Sequence, residues 1–246
     1  MNTILFDLDG TLLPMDQEIF IKIYFKQLVM YFAPLGITAE NMVAGLNEGI
    51  KAMVGNDGSM SNEERFWSEF SKHLGPDIIS LEPEFEKFYQ SAFRQAKAST
   101  NASELTKQVI QKAKEKGFTI VIATNPLFPM VATHERIAWA GFSPEDVFYI
   151  TTYETSSYCK PNLDYYREIL AKIGKDPSEC MMVGNDVKED MVVAELGMKR
   201  YLITDCLINT NNEDITEIPQ GSLEDFLTYL DHITLEQSAN CLSCHE

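Results

Sequence analysis

The aspartates Asp7 and Asp9 are the first residues of the chain whose type and spacing could do chemistry. They flank a single leucine and directly follow the apolar run of residues 3–6, which is typical of a buried strand. Two carboxylates this close repel each other unless a cation lies between them. A carboxylate can also act as a covalent nucleophile. The pair therefore favours a metal-dependent site over two structural aspartates.

Three later segments place polar residues where predicted strands end or predicted helices begin. They are Thr124 with Asn125, Lys160 with Pro161, and residues 184–190, which include Asn185, Asp186, Glu189 and Asp190. In open α/β sheets, ligands bind outside the carboxyl ends of the strands. We therefore expect these segments to meet the first two aspartates at one edge of a sheet.

The elements that must position these residues change character near residue 100. Apolar residues at helical spacing predict that residues 15–97 are all-helical. Ser61 and Glu64 have the spacing of a capping box, which marks a helix start. The other helix starts in this region are predicted at Asp16, Thr38 and Pro83. The apolar stripes of these helices are interpreted as packing on one another.

After residue 100, predicted helices and strands alternate, which indicates parallel strands joined by right-handed helical crossovers. Strands are predicted at 118–123, 148–150, 180–183 and 200–203, and helices at 103–117, 131–140, 163–173, 188–196 and 222–230. The fold class is therefore α/β, a doubly wound parallel sheet with a Rossmann-like core and an inserted helical cap domain. The predicted domains are a core of residues 1–14 and 98–235, a cap of residues 15–97, and a C-terminal tail of residues 236–246.

Composition excludes several classes of partner. The 246 residues include 37 acidic and 20 basic ones, a net charge of -17, which would repel nucleic acid and anionic membrane surfaces. No apolar run is long enough to span a membrane, and the first residues do not form a signal peptide. An odd number of cysteines, five, favours reduced thiols and a cytoplasmic location. An anionic substrate would need positive potential from a cation, a lysine and backbone N–H groups.

Taken in order, the four polar segments resemble the four motifs of the haloacid dehalogenase (HAD) superfamily. The resemblance spans about residues 3–205, and the helical insertion resembles the class I cap of that superfamily. It implies a phosphatase in which Asp7 is the nucleophile and Asp9 is the general acid and base. Asp9 distinguishes phosphatases from the dehalogenases of the superfamily, which lack this second acid.

The same resemblance implies the remaining site residues. Thr124 and Lys160 would be catalytic, with Lys160 neutralising charge on the phosphoryl group and the nucleophile. Thr11, Thr124, Asn125 and Lys160 would also hold the phosphate and the catalytic loop, and Asp7, the backbone carbonyl of Asp9, Asp186 and Asp190 would hold Mg²⁺. The chain departs from the commonest pattern, because Asn185 stands where an aspartate usually follows the glycine. Asp186 is therefore predicted as the direct side-chain ligand, and Asp190 as a supporting or water-mediated partner.

The expected function is Mg²⁺-dependent hydrolysis of a small phosphorylated metabolite through an aspartyl-phosphate intermediate. The expected partner is a small-molecule phosphate ester, with no nucleic acid and no membrane, and the expected assembly is a monomer or homodimer. Two alternatives stay open: a phosphomutase of the same superfamily, and a catalytically idle, protein-binding member. Cap loops would select the substrate, and residues 45–49 with Met15 and Asp16 are the predicted discriminating surface.

Other signals are weaker. Cys241, Cys244 and His245 match the c-type haem attachment pattern, but a chain without an export signal argues against haem, and a zinc or redox role for the two cysteines is only a little less remote. Asn56 to Gly58 is read as a turn and not as a calcium loop, because the other ligand positions are missing. The four histidines show no metal spacing, and Glu189 is interpreted as a helix-face charge.

Overall fold

The computed structural model describes residues 1–235, and its centre is a six-stranded, all-parallel sheet. The strands are β1 (Thr3–Phe6), β2 (Thr119–Ile122), β3 (Tyr149–Ile150), β4 (Cys180–Gly184), β5 (Lys199–Ile203) and β6 (Gln220–Gly221). Their order across the sheet is β3-β2-β1-β4-β5-β6. The prediction of a doubly wound α/β fold is confirmed. The sixth strand was not predicted, because two residues, Gln220 and Gly221, carry no apolar pattern.

The order of the strands reverses between β1 and β4, and this is where an open α/β sheet binds ligands. Phe6, the last residue of β1, pairs with Ile122 of β2 and Val183 of β4. The residues that follow these three positions therefore leave the sheet at the same level. Asp7 continues the ladder, since its backbone N–H donates to the Val183 carbonyl at 2.9 Å.

Eight α-helices surround the sheet or form the insertion within residues 1–235. They are α1 (Gln17–Phe32), α2 (Ala39–Val54), α3 (Asn62–Leu74), α4 (Glu82–Gln90), α5 (Glu104–Glu115), α6 (Met130–Ala140), α7 (Leu163–Ile173) and α8 (Leu223–His232). Short 3-10 segments lie at Ala33–Leu35, Pro76–Leu81, Ala92–Ser99, Pro144–Asp146, Pro177–Glu179 and Met191–Leu196. None of the helices described is long and apolar enough to cross a membrane.

Both faces of the sheet are covered, which explains why its central strands are continuous apolar runs. On one face, Leu5 and Val121 pack in a cluster with Tyr165 and Ile169 of α7. On the other face, Ile4, Phe6 and Ile122 pack with residues of α5 and α8, such as Val109 and Phe226.

The helical insertion between β1 and β2 follows its local sequence signals closely. Asp16, Thr38 and Ser61 are N-caps, and Ser61 forms the predicted capping box with Glu64. Helix α4 begins at Glu82, one residue before the predicted start at Pro83. Helices α1 to α4 and the 3-10 segments between them make up what we call the cap. Its exact domain limits, 15–97, remain a prediction.

The two chain segments that enter and leave the cap run side by side. Met15 and Thr100 form an isolated antiparallel bridge, and the backbone N–H of Asn101 donates to the Pro14 carbonyl at 2.8 Å. Asn62, at the start of α3, anchors the cap to the core. Its buried side-chain amide lies 3.3 Å from the Tyr158 carbonyl and 3.4 Å from the sulfur of Cys159.

Two glycines one turn apart let α2 and α3 pack closely. A Cβ atom on Gly49 would lie 2.6 Å from the Phe66 ring, and one on Gly45 would lie 2.4 Å from a Leu74 methyl group. Neither distance is possible for a real side chain without movement. The predicted discriminating segment 45–49 therefore also sets the spacing of the two helices.

The prediction of a helix at 188–196 is wrong. Residues 187–190 form a turn, and only a 3-10 segment, Met191–Leu196, follows it. The reason is local, since one carboxylate oxygen of Asp186 accepts hydrogen bonds from the backbone N–H groups of Lys188 and Glu189, which favours a turn over a helix. Lys160 also lies outside a helix, because α7 begins at Leu163 with Asn162 as its N-cap.

Candidate active site

A buried lysine joins two of the predicted site aspartates. The Nζ atom of Lys160 lies 2.8 Å from Oδ1 of Asp7 and 2.7 Å from Oδ1 of Asp190. Burial by itself lowers the pKa of Lys160, but the carboxylates of Asp190 and Asp7 outweigh it and raise the pKa well above its usual value. The lysine is therefore held as a cation at the end of the sheet.

Asp7 lies at the carboxyl end of β1, and its second oxygen also has a partner. The Thr11 hydroxyl lies 3.1 Å from Oδ2 of Asp7 and 2.9 Å from Oδ1 of Asn185. Asn185 in turn donates from its amide to the Cys206 carbonyl at 2.7 Å. The predicted loop-holding residue Thr11 thus connects the segments that follow β1 and β4.

The turn after β4 brings Asp190 back to the sheet. One oxygen of Asp190 contacts Lys160, and the other accepts from the backbone N–H of Asp186 at 3.0 Å. This approach requires glycine at position 184, because a Cβ there would lie 2.1 Å from the Asp190 carboxylate. Burial raises the pKa of Asp190 to about 7. Both oxygens of Asp190 are engaged, which agrees with a supporting position for this residue.

Asp9 pairs with an arginine that no motif pointed to. The Nη1 atom of Arg136, on α6, donates to Oδ2 of Asp9, and the arginine side chain is only 1% exposed. The other oxygen of Asp9 is buried and has no hydrogen-bond partner within residues 1–235. Burial raises the pKa of the Asp9 carboxyl, and Arg136 opposes that rise. The guanidinium also lies 4.6 Å from the centre of the Phe128 ring.

One sequence signal could have identified Arg136 as a residue of the site. Helical spacing puts it on the same face of α6 as Ala132, Thr133 and Ala140, all of which are buried. A charge on a buried helix face needs a partner. The partner, Asp9, lies 127 positions earlier in the chain.

Thr124 and Asn125 follow β2, as predicted. Thr124 is buried, and its backbone carbonyl accepts hydrogen bonds from the hydroxyls of Thr151 and Tyr165 at 2.7 and 2.8 Å. The Asn125 amide donates to the Glu189 carboxylate at 3.2 Å, and its carbonyl oxygen accepts from the backbone N–H of Lys160 at 3.3 Å.

The interpretation of Glu189 as a helix-face charge is wrong. This residue lies in the turn after β4, where Asn125 holds its side chain, and burial raises the pKa of its carboxyl. Glu189 also lines the cavity of the site. The missing helix explains the error, since the turn directs this side chain to the edge of the sheet.

A cavity of about 440 Å³ opens above these residues, between the core and the cap. Asp7, Asp9, Thr124, Asn125, Asn185, Asp186, Glu189 and Asp190 line its core side. Met15, Leu46 and Asn47 of the predicted discriminating surface line it as well. Asp16 instead serves as the N-cap of α1 and accepts from the backbone N–H of Ile19.

The donor atoms of the site fit Mg²⁺ in type. Within residues 1–235, no three His, Cys, Asp or Glu side chains are grouped so that they could hold a metal by themselves. One reason is that Lys160 lies between Asp7 and Asp190. Mg²⁺ needs fewer protein ligands than such a group provides, because it commonly takes one or two carboxylates and completes its shell with water and substrate phosphate. Asp7 and Asp186, both at the cavity, could supply those carboxylates.

Comparison with known proteins places the chain in a family. Residues 1–196 match the model of the haloacid dehalogenase-like hydrolases. The chain belongs to this family. The resemblance stated from the motifs is thereby confirmed. The candidate site residues of this HAD-like hydrolase lie together at the sheet edge that the motifs indicated. No curated protein matches the chain significantly.

Solved structures share the fold of this HAD-like hydrolase at low identity. A HAD phosphatase from Thermococcus onnurineus is 18% identical, with a TM-score of 0.57 over 94% of this chain and 98% of that one. The putative HAD-hydrolase YfnB from Bacillus subtilis, bound to magnesium, is 18% identical with a TM-score of 0.55, over 94% and 98%. A mutant of CbbY from Rhodobacter sphaeroides in complex with xylulose-(1,5)bisphosphate is 18% identical with a TM-score of 0.55, over 91% and 95%.

Proposed function

We propose that this HAD-like hydrolase is a Mg²⁺-dependent phosphatase that cleaves a small phosphate monoester through an aspartyl-phosphate at Asp7. The observation that carries the proposal is the buried Lys160, which contacts both Asp7 and Asp190 beside a cavity that Asp9 also lines. The magnesium-bound relative YfnB and the phosphatase from Thermococcus onnurineus support the same chemistry by analogy.

In the first step, an Asp7 carboxylate oxygen attacks phosphorus, and the bond between phosphorus and the ester oxygen breaks. The leaving oxygen takes the electron pair of that bond and a proton from Asp9. The raised pKa of the partly buried Asp9 carboxyl suits this role, because a protonated acid is needed. Lys160 offsets the negative charge beside Asp7 throughout.

In the second step, water attacks the phosphorus of the aspartyl-phosphate and gives a proton to Asp9, and the Asp7 carboxylate leaves. Asp9 is then protonated again for the next cycle. Bound Mg²⁺, held by Asp7, the Asp9 carbonyl and Asp186, would offset the charge of the phosphate and of the nucleophile. Thr124 and Asn125 would bind phosphate oxygens at the end of β2.

The test is phosphate release from a panel of monoesters with Mg²⁺ and with EDTA, for the wild type and Asp7→Asn. We expect Asp7→Asn to lower kcat by at least about 10⁴-fold, as the loss of a covalent nucleophile does in other hydrolases. Asp164→Asn, which changes an exposed aspartate on α7, is the matched control and should keep wild-type activity. Equal phosphate release by the wild type and Asp7→Asn would exclude the proposal.

The two alternatives predict different outcomes. A phosphomutase would isomerise a sugar phosphate and release little free phosphate, and it would need a cation for a second phosphate group. Among the described residues of the cap, none that lines the cavity is Lys, Arg or His. An idle protein-binding member has no need for a buried cluster of three charges, whose removal from water costs several kcal/mol per ion.

A further inference from the structure

The cavity has two chemically different sides. All of its charged lining residues within the described chain belong to the core: Asp7, Asp9, Arg136, Asp186, Glu189 and Asp190. Nine aromatic side chains line the remaining wall: Phe20, Tyr24, Phe25, Phe66, Trp67, Phe85, Tyr89, Phe128 and Tyr153. Seven of these nine come from the cap.

The few polar groups of the cap wall are poorly placed to bind a sugar. The hydroxyls of Tyr24 and Tyr89 are buried and bond to each other at 3.0 Å. Gln17 and Asn47 are also polar, and both are exposed at its rim. Within the described cap lining, the indole N–H of Trp67 is the one buried polar group without a hydrogen-bond partner. A sugar in this cavity would leave several hydroxyls without partners, and each such group costs free energy when it is buried.

An apolar group, in contrast, would gain free energy on entering this cavity. Transfer of hydrocarbon from water to an aromatic cavity is favourable, and aromatic rings provide a large contact area for it. A volume of about 440 Å³ lies within the range of pockets that enclose a small organic ligand. The phosphate of such a ligand would lie at Asp7 and Lys160, and the carbon portion would extend along the cap wall.

We infer that the substrate is the phosphate monoester of an apolar alcohol, with its hydrocarbon portion in the aromatic cavity and its phosphate at Asp7. This inference rests on the proposed phosphatase function and specifies its substrate class. It excludes sugar phosphates and bisphosphates as preferred substrates, since neither offers the hydrocarbon that the cap wall would cover.

The first experiment compares kcat/KM for methyl, butyl and hexyl phosphate with that for glycerol 3-phosphate and glucose 6-phosphate. We expect kcat/KM to rise by about fourfold per added methylene, the factor expected for full burial of each group. A flat alkyl series, or a preference for either polar ester over hexyl phosphate, would overturn the inference. Both results would leave Asp7-dependent phosphate release, and hence the proposed function, intact.

A binding measurement keeps the inference testable even if no ester is hydrolysed. Hexylphosphonate and methylphosphonate have a carbon–phosphorus bond and resist hydrolysis, and calorimetry would give their dissociation constants in the presence of Mg²⁺. We expect hexylphosphonate to bind at least about 10²-fold more tightly, from its five additional methylenes. Equal affinities would mean that the aromatic wall serves only as the packed interior of the cap.

A matched pair of variants on α2 tests where the hydrocarbon portion of the substrate binds. Ile50 lines the cavity, whereas Val54 lies one turn later on the same helix, is half exposed and is not part of the lining. Ile50→Trp should lower the preference for hexyl over methyl phosphate by at least about tenfold, because the indole occupies the hydrocarbon site. Val54→Trp should leave that ratio unchanged. If both variants melt like the wild type and neither changes the ratio, the hydrocarbon does not bind at this wall.

Discussion

The core wall and the cap wall of one cavity differ in almost every physical property. The core wall holds charged side chains that have charged partners, such as Asp9 with Arg136 and Asp7 with Lys160, which lies behind the lining. The cap wall, in the part of it that is described, holds aromatic side chains and no charge. On the proposed function, the sheet edge would supply the reacting groups and the insertion would bind the rest of the substrate. Substitutions can change each wall separately.

After the loss of the nucleophile Asp7, the largest expected effect comes from Asp9 on the core wall. Asp9→Asn should lower kcat by about 10² to 10⁴-fold for an alkyl phosphate, because its alkoxide leaving group needs a proton. The loss should be much smaller for p-nitrophenyl phosphate, whose leaving group is stable without one. Steady-state kinetics with the two esters measure the difference. An equal loss for both esters would contradict the role of Asp9 as general acid and would assign it a structural role instead.

The next effect concerns Arg136, which we regard as a positioning residue for Asp9. Arg136→Met should lower kcat by about 10 to 10²-fold, the scale of a misplaced catalytic group. Arg136 lowers the pKa of Asp9, so its removal lets that pKa rise. Activity that needs protonated Asp9 is lost as pH rises through this pKa. The alkaline limb of the pH profile should therefore move to higher pH in the variant.

Arg136→Lys is the control that separates the effect of the positive charge of Arg136 from the effect of its planar geometry. It keeps a cation near Asp9, so the alkaline limb should return toward its wild-type position, while kcat should stay low because lysine lacks the planar guanidinium. A pH profile that is identical in the wild type and both variants would mean that Arg136 stabilises the fold without acting on Asp9.

The smallest expected effect belongs to the cap wall and its scaffold. Gly49→Ala pushes a methyl group into the Phe66 ring, which lines the cavity, and overpacking of this kind costs about 1–3 kcal/mol. The better helix propensity of alanine offsets up to about 1 kcal/mol of this cost. Urea unfolding should therefore show a modest net loss of stability. Gly55→Ala, whose Cβ would be no closer than 3.4 Å to its neighbours, should show no loss.

Most of the fold was predictable because its signals are local. The caps at Asp16, Thr38 and Ser61 follow from hydrogen bonds that span three residues. The apolar runs of β1, β2 and β4 follow from burial on both faces of the sheet. The turn at residues 187–190 was missed because acidic residues there also suit the first turn of a helix.

The identity of the candidate site residues was predictable, but the contacts between them were not. Asp7, Asp9, Thr124 and Asp186 lie at one edge of the sheet, as their positions after β1, β2 and β4 required, and Lys160 contacts Asp7 there. Their partners were not predictable from spacing. Arg136 on Asp9 and Asn125 on Glu189 are contacts between segments more than 60 residues apart.

The sequence by itself determined most of the elements, the order of the motifs and the residue types at the carboxyl ends of the strands, because these depend on short-range hydrogen bonds and on apolar periodicity. Only the tertiary structure decided which charges pair and which side chains face the cavity. The physical reason is that α4 of the cap packs against α6 beside the site, and no short-range pattern fixes which faces of such distant elements meet.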